Sequence, residues 1–311
     1  MNKGAILVIR GGAMGDFIVT LPVLAALREN FPDTRIEVVG YPGPAGLAVA
    51  GGLADGFRPI EARGLASYFA RRGEFDADWA AYFAGFHVIF SYLYDPDGFF
   101  QTNVTSVTRA QFIQGPHRPD ESGTQHITEQ LLSPLERLAI FGADPQPRLR
   151  LAPPAAAARP PVRELAVHPG SSSERKNWPE ARWVELLTDL VRTTDLRFLL
   201  LGGEAEGQRL ERLGAVIPGD RREIWSHRPL PELAARLVQA QAFLGHDTGP
   251  GHLAAALGLP GITLWGATNA PVWRPRSSLF ELIHAGADLG TLPTASVKSA
   301  LERLLSTLPV V

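Results

Sequence analysis

Residues 5–40 read AILVIRGGAMGDFIVTLPVLAALRENFPDTRIEVVG, and this stretch decides the fold. Residues 5–9 are continuously apolar, as in a parallel strand covered on both faces. Gly11-Gly12-Ala13-Met14-Gly15-Asp16 follows as a glycine-rich turn. Residues 17–30 carry apolar side chains at helical spacing and stop before Phe31-Pro32-Asp33. Residues 35–40 supply a second strand through Ile36, Val38 and Val39, and Tyr41-Pro42-Gly43-Pro44 breaks the chain. Strand, turn, helix and strand in this order make a βαβ unit.

The same alternation restarts downstream. Residues 164–168 read as a strand, 179–193 as a helix, and 197–201 as a strand closed by Gly202-Gly203. Residues 204–214 and 230–240 read as helices, 242–245 as a short strand, 252–257 as a helix and 261–265 as a strand. Between the halves, residues 88–90 form a strand, 95–108 a loop rich in Asp, Gly, Asn and Thr, and 125–141 a long helix. Pro145, Pro147, Pro153, Pro154, Ala155 to Ala158, Pro160 and Pro161 then form a semi-rigid linker. The expected division is therefore 1–155 and 156–311, two α/β domains each with its own parallel sheet. A last helix over 294–308 is free to pack on either.

Length agrees with two domains, since 311 residues exceed the usual size of one. Hydrophobic residues make up 45%, enough for real cores. Thirty Lys and Arg balance 32 Asp and Glu for a net charge of −2, which argues against a dedicated nucleic-acid binder. Cysteine is absent, so disulfides, thiol nucleophiles and iron–sulfur clusters are excluded. The eight histidines show no metal-ligand spacing with the carboxylates, and no metal site is expected. The opening apolar run is too short for a signal peptide. The longest uncharged run, residues 79–94, is better read as a helix end, a turn and a buried strand than as a membrane span. A soluble cytoplasmic protein is the expectation.

Four strand-to-helix turns are placed to carry chemistry, because open α/β sheets bind ligands beyond the carboxyl ends of their strands. The first holds Gly15 and Asp16; as a residue type, Asp16 serves equally as a helix cap or as a reactive carboxylate. The second, His168-Pro169-Gly170-Ser171-Ser172-Ser173, leads to Lys176 before a helix, and its hydroxyls and lysine suit a phosphate or a solvated loop. The third, Gly202-Gly203-Glu204-Ala205-Glu206, puts carboxylates one turn beyond a strand, where they cap a helix or take ribose hydroxyls. The fourth, His246-Asp247-Thr248-Gly249-Pro250-Gly251-His252, opens a helix with two glycines and aims His252 at the same anion.

Taken in order, these turns resemble glycosyltransferase family 9, the heptosyltransferases of the lipopolysaccharide inner core. The residues that carry the resemblance are Gly15-Asp16 with Thr20-Leu21-Pro22, His168-Pro169-Gly170-Ser171 with Lys176, Trp178 and Pro179, Gly202-Gly203 with Glu206, and Asp247-Thr248-Gly249 with His252. The resemblance implies GT-B architecture, two Rossmann-like domains facing across a cleft, with acceptor on the N-terminal domain and donor on the C-terminal one. It implies inverting transfer from a nucleotide-diphospho-sugar, ADP-heptose, without metal or other cofactor. Asp16 then matches the catalytic aspartate, Lys176 the donor-phosphate lysine and Glu206 the ribose carboxylate. Ser171, Ser172, Asp247, Thr248, Gly249 and His252 match the donor turns, and Gly15 with Asp16 the acceptor side. The implied acceptor is a lipopolysaccharide-core or lipid-linked glycan, met at the cytoplasmic face of the inner membrane, with only a local, peripheral contact at this net charge.

Residues 95–123 match no family signature. Two other readings share the architecture: a nucleotide-sugar epimerase, which forms its product without an acceptor, and a non-catalytic nucleotide- or glycan-binding protein, which has no use for both Asp16 and Lys176.

Overall fold

The computed structural model describes residues 4–71, 74–151, 163–171, 176–203 and 206–308. By its contacts the chain divides into two compact units, Met1–Arg150 and Leu151–Val311. Residues 152–162, with the part of the expected linker from Pro153 to Pro161 and the expected boundary at 155, lie outside the described residues.

The N-terminal unit begins with β1 (Ala5–Arg10), α1 (Met14–Ile18), α2 (Leu21–Asn30), β2 (Arg35–Gly40), α3 (Pro42–Ala50) and β3 (Gly56–Pro59). It continues with α4 (Ala77–Ala84), β4 (Val88–Ser91), α5 (Phe99–Val107), β5 (Gln111–Gln114) and α6 (Ile127–Leu132). Its five strands are parallel in the order β3-β2-β1-β4-β5. β1 is buried at every position, which explains its unbroken apolar run over residues 5–9 before Arg10. One face is filled by an aromatic cluster of Tyr68, Trp79, Phe83, Phe86 and Phe100 around Leu7, Ile9 and Ile89.

The C-terminal unit opens with β6 (Glu164–His168), α7 (Glu180–Thr193), β7 (Arg197–Gly202), α8 (Gly207–Gly214), β8 (Arg222–Ser226) and α9 (Leu230–Leu237). It ends with β9 (Ala242–His246), α10 (Gly249–Ala256), β10 (Gly261–Trp265), α11 (Ala270–Trp273), β11 (Phe280–His284) and α12 (Thr294–Thr307). The strand order β8-β7-β6-β9-β10-β11 is that of a six-stranded dinucleotide-binding sheet. In both units the order reverses beside the first strand, so the switch points lie between β1 and β4 and between β6 and β9. The last helix joins the core of its own unit: Val297, Ala300, Leu301 and Leu305 pack with Trp178, Trp183 and Leu187.

Several local expectations are corrected. The helix expected over 17–30 is two helices, because the Thr20 hydroxyl donates to the Asp16 carbonyl at 2.9 Å and Pro22 opens a new first turn. Pro42 likewise starts α3 where the sequence reads as a break. The loop expected over 95–108 contains α5, whose poor helix formers are held by Asp95: its carboxylate accepts the Phe100 and Gln101 amides at 3.1 and 2.9 Å. The long helix expected over 125–141 stops at Leu132 and tightens into a 3-10 turn, Ser133–Leu138, because Pro134 has no N–H to donate. The helix expected from 252 already begins at Gly249, and the one expected to run to 240 ends at Leu237.

At the amino ends of the C-terminal strands sits a buried ion triad. Arg236 of α9 donates to both carboxylate oxygens of Glu164 at 2.7 Å and to Glu223 at 2.8 Å. Burial works against the guanidinium charge, but the bonds to Glu164 and Glu223 outweigh it and hold its pKa above the ordinary value.

Candidate functional site

The N-terminal switch point is organised by Arg10, the last residue of β1. Its buried guanidinium donates from Nη1 to the carbonyls of His117 at 3.0 Å and Tyr92 at 3.4 Å. Nε donates to the Asp16 carbonyl at 3.3 Å, and Nη2 lies 3.7 Å from Asp16 Oδ1. Burial pushes the Arg10 pKa down, and Asp16 and Tyr92 oppose that. Asp16 itself stands in the first turn of α1 and accepts the Ala13 N–H on Oδ2 at 2.9 Å. One carboxylate oxygen therefore caps the helix while the other faces Arg10, and the side chain keeps 33% of its surface open. Gly12 must be glycine, since its φ is +97° and a Cβ there would meet Asp16 Oδ2 at 2.7 Å. Gly15 is part of α1 and carries no side chain to the site.

The C-terminal switch point gathers most of the other expected residues. Lys176 Nζ pairs with Asp247 Oδ2 at 2.7 Å, with 42% of the lysine side chain exposed against 10% of the aspartate. Thr248 precedes α10 but does not cap it; its hydroxyl turns to His168 Nδ1 at 3.1 Å and the His246 carbonyl at 3.3 Å. Gly249 opens α10, and His252 stands buried in its first turn. Glu206 is buried, accepts the Gly203 N–H at 2.7 Å and packs on Gly170, where a Cβ would meet its Cγ at 2.2 Å. Ser171 is half-buried beside Gly170; Ser172 lies outside the described residues. Lys176, Glu206 and the 247–252 turn thus border one strand-end cluster, whereas Asp16 belongs to the other unit.

Two residues that the sequence left without a role tie this cluster together. His246 Nε2 accepts the Trp178 N–H at 2.9 Å, so the proton sits on Nδ1, 3.3 Å from the Gly170 carbonyl. His168 lies across the sheet pair, its residue in register with Gly245. Burial drives the His168 pKa down to about 4; burial and then His168 drive His246 down to about 3. The meeting of β6 and β9, with Trp178 and Trp183 against His246, buries these imidazoles, which is why spacing alone does not reveal them. Arg10 was hidden for the same reason: in sequence it is a strand's last residue.

The neutral histidines predict a pH effect on stability. Unfolded imidazoles titrate near 6.5, so the unfolded chain takes up protons first as pH falls. The stability is complete above that value and drains as pH drops toward 4 and 3, by about 1.4 kcal/mol per pH unit for each ring. The thermal midpoint is expected to fall between pH 7 and pH 5. His246→Gln, which keeps an acceptor for Trp178 but does not titrate, should flatten that slope. A midpoint indifferent to this pH change would sink the assignment.

Among the described residues, no group of three or more His, Asp or Glu is placed to hold a metal. No helix among them is long and apolar enough to cross a membrane.

Two doubly wound parallel units, each with its turns gathered at the carboxyl ends of its strands, define an α/β protein of GT-B architecture. The chain belongs to glycosyltransferase family 9: the family model described as "Glycosyltransferase family 9 (heptosyltransferase)" matches residues 121–304. It is 42% identical over 79 residues to lipopolysaccharide heptosyltransferase 3 of Escherichia coli, covering 25% of this chain and 23% of that one. It is 36% identical over 124 residues to lipopolysaccharide heptosyltransferase 1 of Pseudomonas aeruginosa, covering 40% and 34%. These matches thus span 23% and 34% of the curated relatives' own lengths. A solved family 9 glycosyl transferase from Veillonella parvula superposes with a TM-score of 0.78 at 16% identity, covering 98% and 99% of the two chains. Heptosyltransferase WaaC of E. coli, solved with ADP, gives 0.73 at 20% identity over 96% and 99%. At these identities the superpositions speak for the fold.

Proposed function

We propose that this chain is a heptosyltransferase that moves heptose from ADP-heptose, with inversion and without a metal ion, to a lipopolysaccharide-core acceptor. The observation that carries the reading is the C-terminal cluster: a half-exposed lysine pinned by Asp247, the amino end of α10, and buried Glu206 converge at a sheet switch point. Those are the groups that a nucleoside diphosphate requires, cation and helix end for the phosphates and carboxylate for ribose hydroxyls. The relatives add the sugar, since a matched E. coli heptosyltransferase was solved with ADP-2-deoxy-2-fluoro heptose.

In this reading the C-terminal unit holds the donor and the N-terminal unit the acceptor. Asp16 accepts the proton of the acceptor hydroxyl as its oxygen bonds to the anomeric carbon from the face opposite the diphosphate. The bond from that carbon to the diphosphate oxygen breaks, and its electron pair leaves with ADP. Lys176 and the α10 amides, with Ser171 at the neighbouring turn, meet the charge that develops there. Thr248 and His252 shape the turn, and Gly249 lets the backbone approach the anion. The acceptor is met at the cytoplasmic face of the inner membrane.

Calorimetry with ADP, GDP and UDP, followed by a transfer assay with ADP-heptose, tests the reading. ADP is expected to bind best, and transfer to continue undiminished in the presence of a chelator. Lys176→Ala should weaken ADP binding about tenfold, or 1.4 kcal/mol. Equal affinity for the three nucleotides, or an epimer formed without acceptor, would overturn it.

A further inference from the structure

We propose that Tyr94 and His117 form a stacking platform for a sugar ring of the acceptor, next to Asp16. This rests on the transferase reading, which is what makes the adjacent carboxylate a base.

Tyr94 keeps 67% of its surface exposed, yet its ring is not loose: it lies 4.6 Å from that of His117, itself exposed. Phe69, by contrast, is exposed but stacks on buried Phe100. The Tyr94–His117 pair faces outward instead. Its two backbones, the exits of β4 and β5, are clamped at three points. Arg10 donates to the carbonyls of Tyr92 and His117. The Gln114 amide donates to the carbonyls of Leu93 at 3.0 Å and Gly115 at 3.1 Å. Beneath them, the Tyr92 hydroxyl donates to the Leu131 carbonyl at 2.8 Å, and its ring occupies the space that a Cβ on Gly115 would enter at 2.3 Å.

The same guanidinium that clamps His117 flanks Asp16. The two contacts and the width of the guanidinium fork cap the separation of the His117 carbonyl and Asp16 Oδ1 at roughly 9 Å. The backbone that carries the pair and the carboxylate thus share one strand-end edge of the N-terminal unit. The chemistry of the pair selects a sugar ring: the C–H groups on one face of a pyranose are polarised by neighbouring hydroxyls and meet the negative face of an aromatic ring. The hydroxyls at the rim stay in water or reach the carboxylate. A ring held in advance loses little freedom on binding, so a clamped aromatic pair suits a specificity surface.

The test uses the whole chain and two readouts. In saturation-transfer NMR with delipidated lipopolysaccharide core oligosaccharide as probe, one sugar ring should receive magnetisation from the wild-type protein, and Tyr94→Ala should abolish it. In the transfer assay, Tyr94→Ala should raise the acceptor KM at least tenfold with donor KM and ADP affinity unchanged, while Tyr94→Phe stays within twofold of wild type. His117→Ala should also raise the acceptor KM. Unchanged melting of the Tyr94 variants confirms that folding is not at issue. Absent saturation transfer to the wild type, or an acceptor KM indifferent to Tyr94→Ala, overturns the platform. Saturation transfer without any glycosyl product would sink the transferase reading alone.

Discussion

Asn in place of Asp16 should lower turnover by about 10²- to 10⁴-fold, the range that a positioned general base supplies. ADP affinity should stay within twofold. The substitution is nearly isosteric, and its amide oxygen can still accept the Ala13 N–H that now bonds Oδ2. What it cannot do is take a proton. With its oxygen turned to Ala13, the amide NH2 faces Arg10 Nη2 where Oδ1 stood at 3.7 Å, a donor set against a donor. A stability loss of up to about 1 kcal/mol is expected from that mismatch, since the carboxylate is partly exposed. Transfer kinetics with ADP-heptose, calorimetry with ADP and a thermal melt separate these effects. A fully active Asn variant would refute the base assignment and leave Asp16 as the α1 cap that the sequence equally allowed.

The second large effect is on stability, far from the chemistry. Arg236→Met is expected to cost about 3–5 kcal/mol, because it strands Glu164 as a buried charge without its partner. Glu164 and Arg236 are almost fully enclosed and joined by two parallel bonds of 2.7 Å. For a unit of this size the loss corresponds to a fall of about 10 °C or more in its midpoint. Adding Glu164→Leu to Arg236→Met removes the stranded charge and should restore much of the difference, while Glu223 keeps the bond from Trp225 Nε1 at 2.5 Å. If the single variant melts within a degree or two of wild type, the triad is a bystander.

The legible parts of the fold were those in which burial is total. β1, β6 and β10 are covered on both faces, so their centres are short apolar runs (residues 5–9, 165–167 and 264–265 with Ile262) without the alternation of a half-exposed strand. Elements held by single side chains escaped. α5 is rich in Thr, Ser and Asn, and exists because Asp95 fastens its first turn. Pro22 and Pro134 divide runs whose apolar periodicity continues across the division. β3, β5, β8 and β11 are partly exposed, and their mixed patterns carried little signal. The site divides along the same line. Asp16, Glu206 and Asp247 stand out in the sequence as candidates because their carboxylates lie in turns beside glycines, and Lys176 because it closes such a turn before a helix. Arg10, His168 and His246 owe their roles to strand register, and register is written in no single segment.

The seat of Trp178 has a consequence for how the protein is made. Its indole N–H donates to the Leu292 carbonyl at 3.0 Å, and its backbone N–H holds His246. The ribosome must therefore deliver residue 292 before the indole has its acceptor, and Leu301 and Leu305 before the surrounding core is full. During synthesis the earlier unit can fold as it emerges. The C-terminal cluster waits for material translated more than a hundred residues after its first strand, and chains stopped short of α12 should leave the ribosome with one finished unit and one exposed sheet.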